Sequence, residues 1–175
     1  MQTVKIKIVC YILTAAATAL LTGCGKGGMA GYKNDWMYPQ DIGSVYVEMF
    51  DSGGFRRGYE FKLTDAICKR IEAQTPYKIV SDRDVADSVL SGTVTVSSGV
   101  LAGDRYTGRA LEQEALIQVR LTWKNLKTGQ LMLDNEEVYA SASYSGKLGQ
   151  SIDSSGAAAL NKAAQKVVER METPW

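Results

Sequence analysis

The chain has 175 residues, with 20 basic and 19 acidic side chains, a formal net charge of +1 and no histidine. A near-neutral balance excludes wholesale nucleic-acid binding, which requires a strongly basic face. The absence of histidine removes the commonest general base and the commonest metal ligand together, and the usual catalytic triads with them.

Lys5 and Lys7 precede an almost wholly apolar run from Ile8 to Leu21, and no acid appears before Asp35. This is a charged n-region followed by an h-region. The run falls short of the roughly 20 apolar residues that a transmembrane helix needs. Glycines 23, 25 and 28 satisfy G-x-G-x-x-G, with Lys26 among them. A phosphate-binding loop must leave a strand and open a helix. The stretch GKGGMAGYKNDW has no helical periodicity and too many glycines to open one, so a nucleotide site is not expected.

The same residues carry a different pattern. Leu21-Thr22-Gly23-Cys24 resembles the lipobox of bacterial lipoproteins. The resemblance implies that the Cys24 thiol receives a diacylglycerol, that the chain is cut before it, and that the new α-amine is acylated. Small Thr22 and Gly23 give a peptidase access to the bond. Two or more acyl chains hold firmly, at about 0.8 kcal/mol per buried CH₂. Gly25 fits delivery to the outer membrane, since an Asp there resembles the inner-membrane retention signal. The expectation is a lipid-anchored outer-membrane protein facing the periplasm, with residues 1–23 removed as a signal peptide. Of the three cysteines, Cys10 leaves with the signal and Cys24 becomes the anchor. Only Cys68 remains, so no internal disulfide is expected even in an oxidising compartment.

Residues 24–42, rich in Gly, Lys and Asn with Pro39, read as a flexible tether. The first predicted strand is SVYVEMF, 44–50, with Val45, Val47 and Met49 on the core face and Tyr46, Glu48 and Phe50 opposite. A Gly-Gly turn leads to an amphipathic helix whose stripe is Leu63, Ala66, Ile67 and Ile71, with Arg70 at its edge; it must end before Pro76. Cys68 flanks the stripe as a packed structural thiol. A short strand is predicted at 77–80. Asp82, Asp84 and Asp87 lack the glycine and distal glutamate of a calcium loop and read as a solvated turn.

In 87–100, Leu90, Val94 and Val96 alternate with Ser91, Thr93 and Thr95, and Gly92 on the apolar face leaves room for a close-packed helix. In 111–125, Ala115, Ile117, Val119, Leu121 and Trp123 alternate with Gln118, Arg120, Thr122 and Lys124. LKTGQ is a hairpin turn into a strand at 131–140. A Ser/Gly-rich loop, 141–156, precedes a last helix with the stripe Leu160, Ala164, Val167 and Met171. The order is β-α-β-β-β-β-α. Because the long strands are half polar, one sheet face takes both helices and the other is wet or covered by a partner. The predicted fold is an α+β two-layer sandwich: a mostly antiparallel sheet of four to five strands with two helices on one face, spanning residues 43–175.

In this order the motifs resemble the lipopolysaccharide-assembly lipoproteins of the LptE type. The matching pieces are GY at 31–32, VYVEMF, RRGYEFKLTDAI, ADSVLSGTV, LTWKNLKTGQLML and LNKAAQKVVERMETPW. The departure is GKGGMA, inserted where the family's GY adjoins the lipidated cysteine, which lengthens the tether. The resemblance implies a non-enzymatic role without cofactor or metal. The partners it implies are an outer-membrane β-barrel of the LptD type, plugged and helped to assemble, and lipopolysaccharide received for passage outward. Thr93, Thr95, Arg120, Thr122 and Lys124 would then face a polar barrel lumen. Arg56, Arg57, Arg105, Arg109, Arg120, Lys124 and Lys127 are the candidates to pair with lipid A phosphates. The alternative is an auxiliary lipoprotein of an ABC-type lipid or solvent transporter, which shares the anchor, the small α+β domain and a D-x-V-L-x-G-like strand.

Overall fold

The computed structural model describes residues 37–172. The signal, Cys24, Gly25, tether residues 24–36 and the terminal Trp175 lie outside them. The elements run β1 (Ser44–Val47), β2 (Asp51–Ser52), α1 (Tyr59–Gln74), β3 (Lys78–Ile79), β4 (Ser88–Gly103), β5 (Ala110–Asn125), β6 (Leu131–Tyr144) and α2 (Ile152–Arg170). They form one sheet in the order β3-β1-β4-β5-β6, with β2 also pairing β4. The three long strands are antiparallel neighbours, and the short β1, β2 and β3 add in parallel. The α+β sandwich is as expected, with six strands where four to five were predicted.

The extra strand comes from a break in the first one. Pairing with β4 lapses after Val47 and resumes at Asp51, and between them the alternation inverts: Met49 is 51% exposed while Phe50 is buried. Phe50, expected on the outer face, turns inward over Gly92, whose missing side chain leaves the space. Its backbone N–H donates to Thr64 Oγ1 at 3.2 Å, a hydroxyl that itself donates to the Glu60 carbonyl at 2.9 Å. The gap at Gly92 is therefore filled by an aromatic ring from the sheet's own edge and not by a helix. Burying the ring favours this over a continuous strand, since a buried Phe contributes about 1.5–3 kcal/mol.

The helices follow their stripes. In α1, Leu63, Ile67 and Ile71 are fully buried. It begins after Gly58, at φ 92°, whose N–H is held by Glu60 Oε2 at 2.8 Å. It ends at Thr75, where both the N–H and the hydroxyl donate to the Ile71 carbonyl before Pro76 stops it. α2 opens with Ser151 and Ser154 capping each other. It buries Ala159, Leu160, Ala163, Ala164, Val167, Val168 and Met171. The loop expected at 141–156 is shorter, because β6 runs on to Tyr144. Ser141 and Ser143 there alternate with Ala140, Ala142 and Tyr144, so the period-2 pattern prevails over a loop-like composition.

At the end where β4 begins, Tyr38, Tyr77 and Trp123 stack in series, each pair with centroids 5.8 Å apart. The Trp123 indole N–H donates to Ser88 Oγ at 3.1 Å, and the Tyr77 hydroxyl donates to the Pro39 carbonyl at 3.2 Å. Tyr38 and Ile42 are buried here, so residues 37–42, which composition assigns to the tether, are packed onto the core. Asp87 joins the strands at this end. Its Oδ2 accepts from the N–H groups of Gly43 and Ser44, and its Oδ1 pairs with Lys127 Nζ at 2.7 Å.

Candidate functional site

The core-facing residues of β4 to β6 alternate with a second set that the helices do not cover. The register lines these up in rows: Thr93 beside Arg120 beside Glu137, then Thr95 beside Gln118 beside Tyr139. Two rows join through side chains. Arg120 Nε donates to Glu137 Oε1 at 3.1 Å, the Tyr139 hydroxyl donates to Glu137 Oε2 in a short bond, and Gln118 Nε2 donates to the Tyr139 hydroxyl at 3.1 Å. The Tyr139 hydroxyl and the Arg120 guanidinium hold the Glu137 carboxyl below its ordinary value. Donating to that carboxylate raises the Tyr139 phenol above its ordinary value.

A shallow polar depression of about 340 Å³ opens on this face, lined by Glu48, Asp51, Thr93, Arg120, Thr122 and Asn135 among others. Asn135 has φ 50°, where β6 slips register against β5 between Leu121 and Lys124. The face thus brings together the predicted Thr93, Arg120 and Thr122, with Thr95 in the next row and Lys124 farther along β5. Its one arginine is already neutralised. Glu137 and Tyr139, which complete the network, were not singled out from the sequence. The signal was there in the alternation of EEVYA, but assigning it needed the hairpin register. Chemically this is a surface of hydroxyls and amides with the Arg120–Glu137 ion pair at its centre and the charges of Glu48, Asp51 and Lys124 around it, suited to hydrogen bonding across a broad contact.

The remaining predicted cations sit elsewhere. Arg105 and Arg109 lie in the turn closing the β4–β5 hairpin. Asp104 shapes that turn, its Oδ1 accepting from the N–H groups of Tyr106 and Thr107 at 2.8 and 2.9 Å, which lowers its carboxyl pKa. Gly108, at φ 66°, supplies the left-handed residue. Tyr106 is 96% exposed, and Val100 and Leu101 are more than half exposed beside it. Arg56 and Arg57 follow β2 in the loop with fully exposed Phe55. That loop leaves the sheet beside Thr95, whereas Arg105 and Arg109 lie beyond Gly103, where β4 ends. Among the described residues, no ion pair engages any of these four arginines. Lys127 is at the opposite end, tied to Asp87. The seven predicted cations therefore form no single cluster. No group of three or more His, Cys, Asp or Glu among the described residues is placed to hold a metal ion.

The chain matches the LptE family, described as lipopolysaccharide-assembly, over residues 42–173. The structure is similar to that of an uncharacterized lipoprotein B from Nitrosomonas europaea. That match has a TM-score of 0.57 at 12% identity and covers 78% of this chain and 86% of that one. It is also similar to PelC from Paraburkholderia phytofirmans, solved as a dodecamer, with a TM-score of 0.50 at 11% identity, covering 78% and 93%. At these identities the likeness is one of fold. No curated protein sequence matches the chain.

Proposed function

This chain belongs to the LptE lipopolysaccharide-assembly family, and from that premise we propose that it is a lipid-anchored outer-membrane lipoprotein seated inside a β-barrel partner of the LptD type. The observation that carries the reading is the uncovered sheet face. Transmembrane barrels turn a polar surface toward their lumen. Thr93, Thr95, Gln118, Arg120, Thr122, Glu137 and Tyr139 offer such a wall many hydrogen bonds. Because Arg120 already holds Glu137, that pair enters the contact without stranding either of its charges. Its role is that of a plug and assembly factor, with Cys24 carrying the lipid.

Lipopolysaccharide is an anionic amphiphile, and the hairpin end matches both of its parts. Val100, Leu101 and Tyr106 supply exposed apolar surface, and the free guanidinium forks of Arg105 and Arg109 suit phosphate bidentately. A photo-crosslinking residue at Thr95 or Gln118 of the lipidated protein is expected to capture a large barrel protein. One at Lys69, on the outward side of α1, is not. Capture from Lys69 alone, or unchanged surface lipopolysaccharide after depletion of the protein, refutes the reading.

A further inference from the structure

β6 is the outer strand of the sheet and is 14 residues long. An exposed edge of that length is a ready template for pairing with another strand. In an antiparallel pair, alternate residues turn their backbone groups toward the neighbour and away from it. The carbonyls of β6 that point away are those of the odd-numbered residues Tyr139, Ser141 and Ser143, because these reach α2. Lys166 Nζ donates to the Tyr139 carbonyl at 2.7 Å, Lys162 Nζ donates to the Ser141 carbonyl at 3.1 Å, and Ser155 Oγ donates to the Ser143 carbonyl at 3.3 Å. At the end of the series, Arg170 pairs with Glu136 at 3.4 Å.

The spacing explains why one helix serves the whole edge. α2 runs antiparallel to β6, and one turn of four residues advances about 6 Å. Two strand residues advance about 6.8 Å, so Lys162 and Lys166 meet successive outward carbonyls. Ala159 and Ala163, both fully buried, let the helix lie close enough for the lysine stems to reach.

We infer that α2 is a strap that closes the β6 edge to strand addition by a second copy of this chain. Tyr139, Ser141 and Ser143, the outward residues in the second half of the strand, are uncharged, so no like charges oppose antiparallel self-pairing there. The lysines oppose it twice. They occupy the carbonyl lone pairs a second strand would use, and two copies meeting edge to edge would crowd four ammonium groups together.

The test uses the full-length chain in detergent, carrying a photo-crosslinking residue at Ser141, with a control chain carrying it at Phe61. Lys162→Met with Lys166→Met keeps the stems and removes donors and charge. This pair is expected to shift the protein from monomer to dimer by light scattering and to raise the self-crosslink from position 141 at least tenfold, with none from position 61. Lys162→Arg with Lys166→Arg retains donors and charge and is expected to stay monomeric. Circular dichroism establishes that each variant is folded, and Lys166→Met alone, with a smaller shift expected, replaces the Met pair if that pair is not. A Met variant that stays monomeric, association without the 141 crosslink, or equal association of the Arg pair overturns the inference.

Discussion

The ring of Phe50 lies on Gly92: a methyl group built at Gly92 would stand 2.7 Å from Phe50 Cε1 and closer still to the carbonyl oxygen of Arg120. A long aromatic side chain can shift by a few tenths of an ångström, whereas the β5 backbone behind it cannot. Gly92→Ala is therefore expected to destabilise the domain by about 1–3 kcal/mol, the cost of overpacking a filled core. Adding Phe50→Leu should not restore stability, because the contact with the Arg120 carbonyl remains. Chemical denaturation of the single and double variants checks this, and a Gly92→Ala midpoint equal to that of the parent would refute it.

Asp87 gives a pH signature. Its carboxyl is held below the ordinary value of 3.8 by Lys127 and by the N–H groups of Gly43 and Ser44. Its unfolded pKa is the ordinary one and its folded pKa is lower, so the stabilisation is complete above about 3.8 and is lost as pH falls through the folded value. Asp87→Asn should lower the thermal midpoint at neutral pH and flatten the decline below pH 4. Parallel melting curves for parent and variant across that range would exclude the role.

Ser88→Ala removes the acceptor of the buried Trp123 indole N–H, bonded at 3.1 Å. An unsatisfied buried donor costs about 1–3 kcal/mol. The expected result is a loss of that size in urea denaturation, with a changed tryptophan emission in the folded state. Ser88→Thr, which keeps the hydroxyl, should lose less.

For the hairpin end, Arg105→Ala with Arg109→Ala is expected to weaken binding to purified lipopolysaccharide at least tenfold, since a charge-assisted hydrogen bond contributes about 1.5–3 kcal/mol. Stability should stay within about 0.5 kcal/mol, as for ordinary surface changes. Lys127→Ala should do the reverse, lowering stability through Asp87 and leaving binding intact. Titration calorimetry beside thermal melts separates the two, and unchanged affinity in the double arginine variant would dismiss this end as a lipid contact.

Where one periodicity dominated, the fold was legible in the residues. The stripe Leu63, Ile67, Ile71 and the alternation from Ala115 to Trp123 each admit one reading, and both are buried as that reading requires. Phe50 was not legible, because Val45-Val47-Met49 and Val45-Phe50 are both usable apolar sets and only the space over Gly92, forty-two positions later, decides between them. The end of β6 is not legible because beyond Ala140 only Ala142 and Tyr144 mark its core face, among serines that read as loop. At the candidate site, Thr93, Thr95 and Thr122 were correctly put on the outer face by parity. The ties of Arg120 to Glu137 and of Lys127 to Asp87 depend on strand register and chain reversal, which a local reading of charges does not contain.

The contact between Tyr38 and Glu172, a hydroxyl donating across 3.5 Å and 134 positions of sequence, bears on how the molecule is made. The domain's opening segment is buried against its closing one, Met171 included. A chain delivered from its N-terminus, by ribosome or by translocation pore, must hold Tyr38 and Ile42 unsheltered until the last turn of α2 arrives. The β4–β5–β6 meander, built from neighbouring strands, can form while that wait lasts. Arrival of Met171 and Glu172 is thus the event that closes the domain, and a chain cut before them forfeits the seam at both ends.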